Sequence, residues 1–304
     1  MLYQHFISSL LLATSLLTCS LPAQDIRHSL LIAGPDFTGI LDEENKIVWD
    51  SGAKGARDGF VLPNGNVLIA WTKEVREYTP NTQESRSIYA LSLLNKEIGT
   101  AQRLDNGNTL ITELGPNPRA LEIDRDGKIA LQFRLEPETD NAHMQTRMAR
   151  KTSNGRYLVP HLLAFQVKEY DREGSVVRFW KTDLEQLGGR KSEAWPFTAI
   201  LLPNHNILVT LTHSNQVVEL DPDGKVVWHI SNTDFPQKPL ADPCGAQRLP
   251  NGNTVIASYG AKEGIKIFEV TPDKQIVWTH SQYRAHEIQV LTTNGTPLPY
   301  PPLK

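Results

Sequence analysis

The phrase "TAQRLDNGNTLITELG" (100–115) returns as "CGAQRLPNGNTVIASYG" (244–260). A chain that spells one phrase twice, so far apart, is assembled from repeats, and a repeat restricts the fold more than any composition does. Aligning the Asn-Gly pair brings out the other copies: "FVLPNGNVLIAW" (60–71), "RKTSNGRYLVPH" (150–161), "ILLPNHNILVTL" (200–211) and a half-copy, "QVLTTNG" (289–295). The turn position advances through Gly65, Gly107, Gly155, His205, Gly252 and Gly295, in steps of 42, 48, 50, 47 and 43 residues. A second phrase follows each first one. "VELDPDGKVVWHI" (218–230) is its fullest form, matched by "FEVTPDKQIVWTH" (268–280), "LEIDRDGKIALQF" (121–133), "KEYDREGSVVRFW" (168–180) and "GILDEENKIVWDS" (39–51). "REYTPNTQESRSI" (76–88) is a degenerate copy.

Each phrase reads as a hairpin. Val, Ile, Leu and Thr flank a pair of residues that tolerate positive φ, so Asn-Gly predicts a two-residue type I′ turn, and Asp-Gly in the second phrase predicts the same. Two hairpins make four strands in about 45 residues, which is a propeller blade. Helical periodicity is nearly absent; "TDLEQLGG" (182–189) is at most one short turn. The ends decide the number of blades. The N-terminal "SLLIAG" (29–34) leads straight into a second phrase and lacks an innermost strand, whereas "HEIQVLTT" (286–293) is a first strand with nothing after it. If the last strand completes the first blade, five full repeats and one shared blade close a six-bladed ring and leave few open edges. The expected fold is therefore an all-β, six-bladed propeller of four-stranded antiparallel blades, one domain over 24–304. Trp49, Trp228 and Trp278 share one position of the second phrase and Trp180 lies two residues beyond it, so all four are expected to pack between blades.

"ELDPDGKVVW" (219–228) resembles the tryptophan-docking repeat of quinoprotein (PQQ-like) propellers, and "LPNGNVLI" (62–69) resembles the repeats of arylsulfotransferase-like propellers, which are six-bladed. The resemblance covers nearly all of the chain after residue 24. It implies the fold more firmly than an activity, because these residues build blades. Quinoprotein dehydrogenases carry an adjacent cysteine pair against their cofactor. The two cysteines here, Cys19 and Cys244, are far apart, so PQQ is not expected and no cofactor is assigned. Arylsulfotransferases use a channel histidine as nucleophile, and no one histidine of this chain matches it.

Topology says where chemistry belongs. The Asn-Gly turns lie at one end of the two inner strands, so the start of the first strand and the end of the second share the opposite end, beside the central channel, where binding loops cluster. Reading those positions gives Arg57, Asp58, His143, Trp195 and His286 before the turns, and Trp71, Glu113, His161, His213 and Tyr259 after them. All ten are candidate ligand-binding residues, able to donate protons, meet anions or stack on rings. His205 belongs to the opposite face, and His229 and His280 to the periphery. No compact catalytic or metal motif is present, so no catalytic residue and no metal ligand is assigned. Net charge is −3 and no basic stripe exists, which excludes a nucleic-acid partner on electrostatic grounds. No internal apolar run reaches the length of a membrane span. "FISSLLLATSLL" (6–17) has the length of a signal-peptide core and "SLPAQD" (20–25) offers cleavage after Ala23; Cys19, behind "LLT", offers a lipid anchor as the alternative. The sequence points to an exported, periplasmic or extracellular monomeric propeller that binds a carbohydrate, peptide or protein at the channel mouth without catalysis. The alternative is an arylsulfotransferase-like or lyase-type enzyme using one of the channel histidines.

Overall fold

The computed structural model describes residues 25–304. The expected signal segment, residues 1–23, and Cys19 lie outside the described residues. Six antiparallel sheets stand around a central channel. Blade II holds Asp58–Val61, Val67–Ala70, Glu74–Thr79 and Glu84–Ala90, and blade III Glu97–Arg103, Thr109–Leu114, Arg119–Ile123 and Ile129–Arg134. Blade IV holds Arg150–Lys151, Tyr157–His161, Gln166–Tyr170 and Val176–Lys181, and blade V Ala194–Leu201, Ile207–His213, Gln216–Leu220 and Val226–Ser231. Blade VI holds Pro243–Arg248, Thr254–Ser258, Ile267–Val270 and Ile276–His280. Blade I is built from both ends of the ring. Glu287–Thr293 is its inner long strand and pairs antiparallel with His28–Ala33, which continues into Thr38–Leu41 and Ile47–Asp50, while the two-residue strand Thr296–Pro297 adds a fifth, inner edge. The closure read from the unpaired first strand is therefore present. Only short 3-10 turns interrupt the strands, and no helix among the described residues is long and apolar enough to cross a membrane.

The turns correct the expected type. Leu62 N bonds Asn66 O and Gly65 N bonds Leu62 O, with Gly65 at φ 82 and Asn64 not in the left-handed region. This is a three-residue loop, a type I turn closed by a left-handed residue, and the blade II, III, IV, V and VI turns all follow it. His205 takes the left-handed place at φ 68. Only the last copy is the expected two-residue turn: Thr293 pairs with Thr296, and both Asn294 (φ 50) and Gly295 (φ 76) are left-handed. In the longer copies the residue before Asn, which is Pro63, Asp105, Ser153, Pro203 or Pro250, belongs to the loop, whereas Thr293 of the last copy ends its strand. In the second phrase Asp42, Asp124, Asp171 and Asp221 accept the amides two and four residues on, which fixes the outer turn.

The other repeat letters join blades. Asn66, Asn108, Asn206 and Asn253 follow the turn glycine or His205, and each donates its side-chain amide to the buried glutamate of its own second phrase: Glu77, Glu122, Glu219 or Glu269. The next blade supplies the partner: Arg103 to Glu77, Lys151 to Glu122 and Arg248 to Glu219 as cations, and His28 to Glu269 through a ring nitrogen at 2.8 Å. Blade V has Leu201 in that place, and blade IV answers with its own Arg178, 3.7 Å from Glu169. Tryptophans add a second joint. Trp180 donates its indole N–H to Asp221 O of blade V at 3.0 Å, and Trp228 donates to Pro272 O of blade VI at 2.8 Å. Trp49 meets Tyr78 of blade II edge-on, and Trp278 meets His28 of blade I.

On the channel axis sits a buried charge cluster. Arg150 donates to both carboxylate oxygens of Asp58, at 2.8 and 3.0 Å, and lies 3.4 Å from Glu287. The segment 298–304 runs to this cluster from the Asn-Gly side. Leu303 bridges to Arg248, and the Lys304 ammonium lies 3.7 Å from Asp58, 3.6 Å from Glu287 and 4.0 Å from the Phe60 ring. Burial alone would raise the Asp58 carboxyl, but Arg150 and Lys304 outweigh it and hold the group ionised. Two carboxyl groups, a guanidinium and an ammonium thus block the channel, and the space on the far side is a cup with one open end.

Candidate functional site

The cup opens on the face opposite the Asn-Gly turns and holds about 720 Å³ of space, a figure that takes in the open solvent at its mouth. Met148, Phe197 and Cys244 pack together as an apolar floor, with Tyr259 against them. The Met148 sulfur lies 4.0 Å from Arg150 Nη2, so the axial cluster is directly beneath. Burial pushes the Cys244 thiol up, which keeps it a neutral packing group.

Six of the ten residues picked from the sequence line this cup: Arg57, His143, Trp195, His213, Tyr259 and His286. The other four lie elsewhere for identifiable reasons. Asp58 is on the axis, bound to Arg150. Glu113 is fully buried and accepts from Ser92, Asn95, Tyr89 and Arg119, which pins the loop between blades II and III. Burial would raise its carboxyl, yet these hydrogen bonds hold it at about 2. Trp71 donates to Tyr78 OH at 3.0 Å and packs between blades I and II. His161 stands at the mouth end of its strand but faces into blade IV, against Tyr170 OH at 2.8 Å. His205 is at a turn on the opposite face, and His229 and His280 lie on outer strands, as expected.

The cup has a basic side. Arg57 is paired with Glu97, and His143 Nδ1 lies 3.7 Å from the same carboxylate. Burial would raise Glu97, but His143, Arg57 and Arg147 together hold it at about 2. Arg147 is only 4% exposed. Among the described residues its guanidinium donates to two carbonyls, Thr146 O at 2.8 Å and His143 O, and forms no ion pair. Burial first, and Arg57 second, pull it down to about 10, so it stays charged at neutral pH. His286 donates Nδ1–H to Ala56 O at 3.0 Å and stacks on Tyr259 with ring centroids 4.2 Å apart. A carbonyl can only accept, so Nε2 carries the lone pair, and burial lowers this imidazole to about 4.

The opposite side is acidic. His213 Nε2 is 3.0 Å from Glu193, and the backbone N–H of His213 donates to Asp242 Oδ1 at 3.0 Å. The Asp242 backbone N–H in turn donates to Asn215 Oδ1 at 2.7 Å. Glu193 (φ 53), His213 (φ 65), Asn215 (φ 57) and Asp242 (φ 43) are all left-handed, a costly conformation for non-glycine residues that the hydrogen bonds hold in place. Trp195 lies over the His213 ring at 4.6 Å.

Sequence reading did not select Arg147, Phe197, Met148 or Asp242 for the site. One signal for three of them was available. The blades with long steps, 48, 50 and 47 residues, carry long connections to the next inner strand, 135–149, 182–193 and 232–242, against 51–57, 91–96 and 281–286 elsewhere. In a repeat fold such insertions gather on one face. Here they deliver Met148 and Arg147, Glu193, and Asp242 to the cup or its rim.

Solved structures share this architecture. A protein of unknown function from Bacteroides caccae superposes with a TM-score of 0.73 at 20% identity, over 86% of this chain and 98% of that one. The periplasmic gluconolactonase PpgL of Pseudomonas aeruginosa matches at 0.56 and 13%, over 90% and 84%. Catalytically inactive virginiamycin B lyase from Staphylococcus aureus, solved with quinupristin, matches at 0.55 and 14%, over 76% and 71%. At these identities the likeness is one of fold. No curated protein matches the sequence significantly. The family model that matches residues 35–238 is neither of the two that the repeat phrases resemble: the chain belongs to the Mal s 1 allergenic protein-like family.

Proposed function

We propose that this protein is a binding propeller whose cup takes a small ligand with an anionic group and an apolar, ring-bearing body. The observation that carries the reading is Arg147. A guanidinium buried without an ion pair, at the wall of an open cup, is under-neutralised, and an anion from outside completes it. Phe197, Trp195 and Tyr259 supply ring faces for the rest of the ligand. The test uses 3-phenylpropanoate and follows the quenching of tryptophan fluorescence. Saturable binding is expected, and Arg147→Gln should weaken it tenfold to a hundredfold, about 1.5–3 kcal/mol for a charge-assisted hydrogen bond. Absence of binding, or equal binding by the variant, refutes the reading. Export belongs to the same proposal, and N-terminal sequencing of the mature protein should begin at Gln24; an intact Met1 in the mature protein counts against it.

A second reading rests on His286. A neutral imidazole whose Nδ1–H is tied to a carbonyl presents Nε2 as a general base toward the cup. The fold neighbours include a lyase and a lactonase. On this reading the protein consumes a ring-bearing ester or lactone, followed by chromatography, and His286→Gln abolishes turnover while 3-phenylpropanoate still binds. Equal turnover by the variant removes it.

A further inference from the structure

The joint between blades II and III departs from the repeat. At the joint of blades V and VI, Glu219 and its cation Arg248 stand beside Trp228, which donates to Pro272 O, and beside the turn of Gly252. Between blades II and III the same places hold Glu77, Arg103 and the turn of Gly107. The other two residues differ. Arg86, in the degenerate phrase "REYTPNTQESRSI" (76–88), pairs across its hairpin with Glu77 as Trp228 does with Glu219. Arg125 stands three residues after Glu122, as Pro272 stands three residues after Glu269. Two guanidinium groups thus occupy the positions of an indole and a pyrrolidine, and the joint is an open trough on the Asn-Gly face.

The three arginines of this trough crowd together. Arg86 Nη2 and Arg103 Nη2 each lie 2.8 Å from the same oxygen of Glu77. Arg103 Nη1 donates to Gly107 O at 3.0 Å, and Arg125 lies over that glycine, where a side chain would strike its guanidinium. Burial lowers Arg103; Glu77 opposes the shift, and Arg86 and Arg125 add to it. Arg103 Nε is buried without an acceptor, and Arg125 has no ion pair or hydrogen-bond acceptor among the described residues. Glu77 is the one carboxylate among the described residues that lines the trough. Asp105, Asp124 and Asp126, in the adjacent turns, form no ion pair with any of the three arginines. Where Glu219 meets one cation, Glu77 meets three, which leaves two positive charges unanswered. We propose that this trough is a second binding site, separate from the cup, for a dianionic tetrahedral oxoanion: phosphate, free or as a monoester. Arg86 and Arg125 grip it, and Arg103, fixed by Glu77 and Gly107, lies beneath. A dianion answers both spare charges, a carboxylate only one, and the forked donors of arginine match its oxygens in pairs.

The experiment titrates inorganic phosphate, phenyl phosphate and acetate against the full-length protein by calorimetry, at one ionic strength and with excess 3-phenylpropanoate present to occupy the cup. Phosphate should bind about tenfold tighter than acetate or better. Arg125→Gln should weaken phosphate about tenfold, and Arg86→Trp, which puts at this joint the residue that Trp228 supplies at the other, should remove its binding. Both variants should leave 3-phenylpropanoate binding unchanged. Arg125→Gln keeps the test valid should Arg86→Trp disturb the joint, because Arg125 holds no other group in place. Phenyl phosphate that binds as tightly as the ion identifies a phosphoryl group carried on a larger molecule, and tighter binding of the ion identifies phosphate itself. Acetate that matches phosphate, or equal phosphate binding by Arg125→Gln, overturns the proposal without touching the cup. Phosphate that binds only when 3-phenylpropanoate is left out occupies the cup, and that overturns it as well.

Discussion

His286 shows how one side chain ties the cup to stability. Its imidazole sits at about 4 in the folded protein, chiefly through burial, against 6.5 when free, and His280 is likewise lowered to about 4. Between those values the unfolded chain binds protons that the native one does not. The stability these neutral rings confer is therefore complete above about pH 6.5 and is lost as pH falls toward 4. Glu97, Glu113 and Glu138, each held at about 2, keep their full contribution until pH drops below about 4.5, so they do not act in the upper part of that window. The urea midpoint should accordingly fall between pH 7 and pH 5, and fall less in His286→Asn, with His280, His161 and His229, each lowered chiefly by burial, accounting for the remainder. Parallel pH profiles for the two proteins would contradict this assignment. None of it is legible in the sequence, where His286 is one histidine beside an inner strand; its tautomer comes from the Ala56 carbonyl, 230 residues away in the chain.

At the scale of the strand and hairpin, most of the fold was written in the repeat, because each repeated letter performs a local task. The first Asn of Asn-Gly-Asn accepts the amide two residues on, the glycine takes positive φ, and the second Asn reaches the glutamate of the following hairpin. What the phrase conceals is the length of the turn. Asn-Gly permits a two-residue loop, and the hydrogen bond from Leu62 N to Asn66 O selects the longer one. The tryptophans also divide in a way their shared position hides. Trp180 is 2% exposed, whereas Trp228 is only half-buried on the outer strand. Trp180→Ala should therefore cost about 3–5 kcal/mol, in line with a deeply buried aromatic. Trp228→Ala should cost about 1–3 kcal/mol, one hydrogen bond to Pro272 and part of a ring's burial. Chemical denaturation of both variants checks the order, and equal losses would mean that the Trp228 joint is as tight as the Trp180 one.

For the whole molecule, closure governs everything else. Deleting residues 282–304 removes the inner strand of blade I together with Glu287 and Lys304, and leaves His28–Ala33 as a bare edge and Asp58 with Arg150 alone of its two cations. Such a protein should aggregate or unfold without a cooperative transition; a truncated form that melts as sharply as the full chain would show that the ring does not depend on this strand. The site was legible to the extent that the repeat places it. Strand ends predicted the open face and six of the cup's residues, while Arg147 and Asp242 ride on connections that belong to no repeat. Blade geometry also could not say which strand-end residues turn inward, so Glu113 and His161, at equivalent ends, serve the scaffold. The late strand has a further consequence for timing. His286 enters the cup wall from the same stretch of chain that seals the ring, so a polypeptide still emerging from the ribosome owns most of the blades and no finished receptacle. Recognition begins only when the last turn of the circle is made, and an occupant, binding the closed form alone, acts as a clasp on it whose grip grows with its concentration.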